Sequence, residues 1–167
     1  MANFQTAVAR ISAALRIDAT AIIQINGDQH HLNTANRIRD YMTTDMVTVS
    51  PDTEIMRAVH LLVQHDISGM PVIETDGQLV GILTERNCID VALQAGYFDE
   101  SGGRVEDYMS SPVETVHPDD SLMDVANRFR QSTFRRFPVV EGGRLIGLIG
   151  RRDVLTALKS GAWFSKS

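Results

Sequence analysis

Residues 135–153 read RRFPVVEGGRLIGLIGRRD, and residues 68–87 read SGMPVIETDGQLVGILTERN; the fold follows from taking one as a copy of the other. Pro71-Val72 precedes Pro138-Val139 by 67 residues. One residue then drops out of the turn, so Gly81 falls on Gly147 at an offset of 66. Thr84-Glu85-Arg86-Asn87 therefore falls on Gly150-Arg151-Arg152-Asp153. Upstream, Asp40-Tyr41-Met42 recurs as Asp107-Tyr108-Met109, Thr48-Val49 as Thr115-Val116, Pro51-Asp52 as Pro118-Asp119 and Met56 as Met123. A register this long is a tandem duplication. Each copy, about sixty residues, is too small for a comfortable core of its own, so the copies are expected to pack together.

Both copies spell the same elements. Val47-Thr48-Val49 and Glu114-Thr115-Val116 are short extended segments that stop at a proline. Asp52 or Thr53 is placed to cap the next helix, as are Asp119 to Ser121 in the second copy. Ile55, Ala58, Val59, Leu62 and Val63 form the buried stripe of that helix, matched by Leu122, Val125, Ala126 and Phe129. Val72-Ile73 and Leu79 to Leu83 flank Asp76-Gly77, and Val139-Val140 and Leu145 to Ile149 flank Gly142-Gly143, which predicts two hairpins. Second helices are predicted from Glu85 to Leu93 and from Arg151 to Leu158. The order is β-α-β-β-α in each copy, an α+β pattern with helices on one face of a small sheet.

Divided this way, residues 38–94 and 105–160 are the repeats, 95–104 a linker rich in Gly, Asp and Glu, and 161–167 a tail. Residues 1–37 stand apart as an N-terminal extension. Phe4, Ala7, Val8, Ile11, Ala14 and Leu15 recur at helical spacing and predict an amphipathic helix. His30 and His31 offer two metal ligands, but spacing places no third, so a solvated pair is expected.

The 167 residues carry a net charge of −5, which opposes nucleic-acid or anionic-membrane binding. Cys88 is the single cysteine, so no internal disulfide can form and a reducing compartment is expected. No apolar run nears the roughly 18 residues that cross a bilayer. The N-terminus lacks a secretory pattern. A cytoplasmic protein is expected. His60 and His65, five apart, do not share a helix face, so no metal site is predicted. The apolar residue beside Cys88 favours a packed thiol over a nucleophile. Met42, Met56, Met70, Met109 and Met123 fall at equivalent points of the copies and read as core. With no P-loop, GxGxxG, zinc pattern or Ser-His-Asp set, enzymatic activity is not expected.

Taken together, the paired Tyr-Met segments, "TVSPD" and "TVHPD", and the two long stretches quoted first resemble a tandem pair of CBS domains, a Bateman module, over about residues 38–158. The resemblance implies two repeats packed through their sheets about a pseudo-twofold axis, with two clefts between them. It implies adenine-containing ligands there: AMP, ADP, ATP, or sometimes S-adenosylmethionine or a cyclic dinucleotide. Homodimerisation of modules and a regulatory, non-catalytic role are also implied, acting on a protein the sequence does not identify.

Carried over residue by residue, Asp153 matches the acid that takes the ribose hydroxyls, although an Asp in a first helical turn is also a plain dipole partner. Arg135 and Arg136 match basic phosphate contacts, which their bidentate forks suit, against the alternative of two surface arginines. Arg151 and Arg152 alternate in direction, so at most one faces the cleft. The adenine would lie against Ser50, the backbone of Ile67 and Ser68, and the apolar wall of Ile55 and Pro71. Gly150 departs from the usual Ser or Thr and removes one hydroxyl. In the second cleft Thr84 keeps that hydroxyl but Asn87 replaces the acid. The opposite wall there would be His117, Phe134 and Pro138, with Ser68 and Gly69 at the phosphate end and Arg86 the only cation. This cleft is expected to be weaker or empty. The alternative to a nucleotide sensor is a ligand-free scaffold for dimerisation or protein docking.

Overall fold

The structure, a computed structural model, describes residues 36–98 and 102–159. The helix expected near the N-terminus, the histidine pair and the C-terminal tail lie outside the described residues. In order, the elements are α1 (Ile55–Gln64), β1 (Gly69–Ile73), β2 (Leu79–Thr84), α2 (Glu85–Phe98), α3 (Val105–Tyr108), α4 (Leu122–Gln131), β3 (Arg136–Glu141), β4 (Arg144–Gly150) and α5 (Arg151–Lys159).

Each copy has one antiparallel hairpin, β1 with β2 and β3 with β4, and both carry an irregularity at the same place, Val72/Ile73 and Val139/Val140. The β3–β4 turn is Gly142-Gly143 with φ of 58° and 83°, a conformation in which glycine is unstrained. The expected first strands shrink to single parallel bridges, Val49 to Val72 and Val116 to Val139. Prolines explain this. The Val49 N–H donates to the Pro71 carbonyl (3.1 Å) and the Ile73 N–H to the Val49 carbonyl (2.9 Å). The next rungs would need N–H groups from Pro71 and Pro51, which have none. Pro138 and Pro118 cut the second bridge in the same way.

The segment that leads into each copy packs on the other copy. Ile38, on a single 3₁₀ turn (Ile38–Asp40), is fully buried among Val116, Leu122, Val125, Phe129, Phe137 and Ile149 of the second copy. Val105, on α3, is fully buried among Val49, Ile55, Ala58, Met70 and Leu83 of the first. Thr43 exchanges hydrogen bonds with Leu148 (2.8 and 2.9 Å), and Ser110 does so with Ile82 (2.9 and 3.1 Å). The hairpin tips also meet: the Leu79 N–H donates to the Gly143 carbonyl (3.2 Å) and the Leu145 N–H to that of Gly77 (3.0 Å). These reciprocal pairs are the pseudo-twofold axis expressed in bonds.

Several sequence expectations are corrected. Val63 and Met56, read as buried, stand 76% and 51% exposed on α1, whose buried face is Ile55, Ala58 and Leu62. α2 runs to Phe98, four residues into the stretch read as linker. The single Gly96 costs only about 1 kcal/mol in a helix, and no proline follows to stop it. The expected caps hold only in the second copy, where Ser121 Oγ accepts from the Met123 N–H at 3.2 Å. Neither Asp52 nor Thr53 caps α1; Glu54 stands at its N-cap without a side-chain bond. The Ile55 N–H donates instead to the Gly103 carbonyl (3.0 Å), so backbone from the swapped segment satisfies the helix start.

Candidate functional site: the strand-to-helix junctions

At the β4–α5 junction the hairpin register sets Arg136 opposite Gly150. The Arg151 N–H donates to the Arg135 carbonyl at 3.3 Å. The Gly150 N–H donates to Asp153 Oδ2 at 2.7 Å, folding the half-buried carboxylate back over the helix start. A negative charge is favoured there by the helix dipole. Gly150 closes this arrangement tightly: a Cβ would lie 3.3 Å from Asp153 Oδ2 and 3.5 Å from both the Arg135 carbonyl and Arg136 Cγ. The side chains of Arg135 and Arg136 are exposed, and Asp153 Oδ1 makes no hydrogen bond among the described residues. Asp153, Gly150, Arg135 and Arg136 are thus brought together. The Arg151 guanidinium goes elsewhere, donating through Nη2 to the carbonyls of Ser132 (3.1 Å) and Phe129 (3.5 Å). It closes the C-terminal end of α4, where the dipole is negative.

The β2–α2 junction repeats this geometry with different chemistry. Asn87 Oδ1 accepts from the Thr84 N–H (3.0 Å) and from Thr84 Oγ1, while the Asn87 N–H donates to Thr84 Oγ1 (3.3 Å). This is a reciprocal capping box. Asn87 Nδ2 donates to Ser110 Oγ at 3.3 Å, so the amide is used on both sides by the protein itself. Ser68 supplies its carbonyl to the Glu85 N–H (3.1 Å), as Arg135 does in the other copy, and Arg86 is exposed.

The remaining expected wall residues sit within their own copies. Pro71 is buried, Ser50 and Ile67 are half-buried and Ser68 is exposed. His117 is exposed, and its Nδ1 accepts from the Asp119 N–H at 3.2 Å. Phe134 packs edge-on to Phe137 with centroids 5.6 Å apart. Among the described residues no hydrogen bond or ion pair joins the Ser50–Pro71 wall to Asp153 or the arginines, nor His117 or Phe134 to Thr84, Arg86 or Asn87. Sequence reading missed Ser110, which the swap delivers to Asn87 from 23 residues away. It also missed a hollow of about 570 Å³ lined by Asp52, Glu54, Gly103, Arg104, Glu106 and Asp107. Its lining sets four carboxylates against the single cation Arg104, a balance that disfavours a phosphate. His117, Asp119 and Glu141 place ligand atoms within 4.8 Å of one another. Arg39 already fills the place of a cation there, at 2.6 Å from Asp119 and 3.7 Å from Glu141.

A duplicated α+β module with a polar junction at each strand-to-helix turn is therefore the class of protein in hand. The chain belongs to the CBS domain family, whose model matches residues 38–94 and 105–160. It is 35% identical over 118 residues to the CBS domain-containing protein YhcV of Bacillus subtilis, covering 70% of this chain and 81% of that one. It is 31% identical over 123 residues to the uncharacterized protein MJ1225 of Methanocaldococcus jannaschii, covering 74% of this chain. The chain spans only 43% of the length of MJ1225, and 26% of the inosine-5'-monophosphate dehydrogenase from the same organism. Among solved structures, CBSX2 of Arabidopsis thaliana in complex with AMP superposes with a TM-score of 0.67 at 30% identity, covering 75% of this chain and 98% of that one. The CBS domain pair of MJ0100, in complex with methylthioadenosine and S-adenosylmethionine, gives a TM-score of 0.60 at 25% identity over 76% of this chain and 98% of its own. No described helix is long and apolar enough to cross a membrane.

Proposed function

We propose that the chain is a non-catalytic regulatory module that senses an adenine nucleotide at the β4–α5 junction, works as a cytoplasmic homodimer, and passes the signal to a docked protein. The observation that carries this reading is Asp153 held on the Gly150 N–H at the start of α5, with Arg136 paired opposite Gly150 on the neighbouring strand and Arg135 next to it in the chain. Fixing Oδ2 on the Gly150 N–H sets the carboxylate rotamer before ligand arrives and leaves Oδ1 for ribose hydroxyls. The two guanidiniums then meet phosphate, and Ser50, Ile67, Ser68 and Pro71 of the first copy receive the base. The solved relative CBSX2 with AMP supports the choice of ligand class. The Thr84–Asn87 junction, its amide spent on Thr84 and Ser110, binds more weakly or not at all, so one nucleotide per chain is expected.

Calorimetry of nucleotide-free protein with AMP, ADP, ATP and adenosine tests this. Asp153→Asn keeps an oxygen for the Gly150 N–H, as Asn87 does for Thr84, but removes the charge. Loss of a charged hydrogen bond worth roughly 1.5–3 kcal/mol weakens binding about 10- to 100-fold with the fold intact. Arg136→Ala weakens the nucleotides far more than adenosine. No heat with any of the four would replace the sensor by a ligand-free docking scaffold.

A further inference from the structure

The cluster around Arg39 belongs to one copy only. His117, Asp119 and Glu141 each bring one ligand atom within 4.8 Å of the other two. At an offset of 67 residues the first copy carries Ser50, Asp52 and Glu74 in their places, and Glu106 in that of Arg39. The second copy alone adds a ring nitrogen to the two carboxylates. Its backbone holds the set in advance. Asp120 Oδ2 accepts from the His117 N–H at 2.8 Å, which fixes the turn that carries His117 and Asp119. The Val116–Val139 bridge, with the Val140 N–H donating to the Val116 carbonyl (2.9 Å), ties that turn to the strand ending in Glu141. Arg39 fits this set unevenly. Its Nε and Nη2 lie 2.8 and 2.6 Å from Asp119 Oδ1, but Nη2 reaches Glu141 only at 3.7 Å. One guanidinium thus faces two carboxylates and leaves an excess negative charge beside an imidazole.

We propose that His117, Asp119 and Glu141 bind a divalent transition ion of the zinc class, with Arg39 as the built-in competitor for the same place. One imidazole and two carboxylates suit Zn²⁺ or Co²⁺ better than Mg²⁺ or Ca²⁺, which prefer oxygen alone. Ligand bonds of about 2.0–2.2 Å set tetrahedral ligands roughly 3.3–3.6 Å apart. His117 Nδ1 already stands 3.9 Å from Asp119 Oδ2, and the exposed Glu141 side chain can swing in without unburying anything. The ion takes over the Nδ1 lone pair that accepts from the Asp119 N–H, and the guanidinium swings out to solvent. That exchange costs little, because an exposed ion pair contributes little. A doubly charged ion also neutralises both carboxylates, which one guanidinium cannot do. None of these residues belongs to the Asp153 junction, so the site is independent of nucleotide binding there.

The test is calorimetry of the full chain, freed of metal and nucleotide, with Zn²⁺, together with the visible spectrum on adding Co²⁺, whose bands report its ligands. His117→Ala and Glu141→Gln are each expected to weaken binding at least about tenfold. Arg39→Ala is expected to tighten it about two- to fivefold, the worth of an exposed ion pair that no longer has to be broken. Asp52→Asn, at the matching acid of the first copy, leaves binding unchanged, and so does His30→Ala combined with His31→Ala. Four results would overturn the assignment: no uptake by either the wild type or Arg39→Ala at submillimolar zinc, binding indifferent to His117→Ala, binding lost with His30 and His31, or an Arg39→Ala variant that fails to bind more tightly. The substituted side chains are exposed, and circular dichroism of each variant separates loss of a ligand from loss of fold.

Discussion

Gly147 and Gly81 show what single positions do in this fold. At Gly147 a Cβ would lie 2.8 Å from Met42 Sδ and 3.0 Å from the Thr43 carbonyl, and Gly81 stands in the same relation to Met109. Glycine is needed there so that the swapped methionine can cross the strand. Gly147→Ala is expected to cost about 1–3 kcal/mol as overpacking, read as a lower urea midpoint with an unchanged slope. Cys88 makes a second prediction. Half-buried and beside Glu85, its thiol is pushed above its ordinary value, first by burial and then by the carboxylate. The thiolate is the reactive form, so alkylation at pH 8 should run slower than for a free cysteine and rise only at higher pH. A rate equal to free cysteine at pH 8 would put the thiol in open solvent. Both glycines were visible in the sequence as paired positions, but their reason was not, because the methionine that fills the space belongs to the other copy.

Among the elements, the two helix starts differ in a measurable way. Ser121→Ala removes the cap of α4 and should cost about 1 kcal/mol, while Thr53→Ala should cost only a few tenths, because the swapped backbone at Gly103 already serves α1. Equal losses in thermal unfolding would contradict that division of labour. Helices, hairpins and glycine turns were legible because their signals are local: a period of 3.6, alternation, and Gly142-Gly143. What escaped was non-local. The parallel bridges are one rung long because prolines on two separate segments coincide, and the missing α1 cap is supplied from 50 residues downstream, by Gly103 for Thr53. The same limit held at the candidate site. Asp153, Gly150, Arg135 and Arg136 came together because a hairpin places them, whereas the pull of the α4 carbonyls on Arg151 was not readable from spacing.

For the molecule as a whole, the sequence repeat and the structural core do not share a boundary. The first core needs Val105, Tyr108 and Met109, and the second needs Ile38, Tyr41 and Met42. A fragment cut at 46–110 keeps its core and is expected to unfold cooperatively. A fragment cut at 38–98 loses those three residues and should stay largely unfolded, since a chain this short has no apolar area to spare. Amide dispersion in NMR spectra of the two fragments distinguishes them; equal dispersion would mean that the swapped residues are dispensable. The crossing has a mechanical corollary. Asn36, whose carbonyl takes the Leu122 N–H at 3.1 Å, is bolted to the second copy although the first follows it along the chain. Twisting the second copy therefore turns residue 36 like a crank, and whatever is joined upstream feels that rotation without any relay through the first.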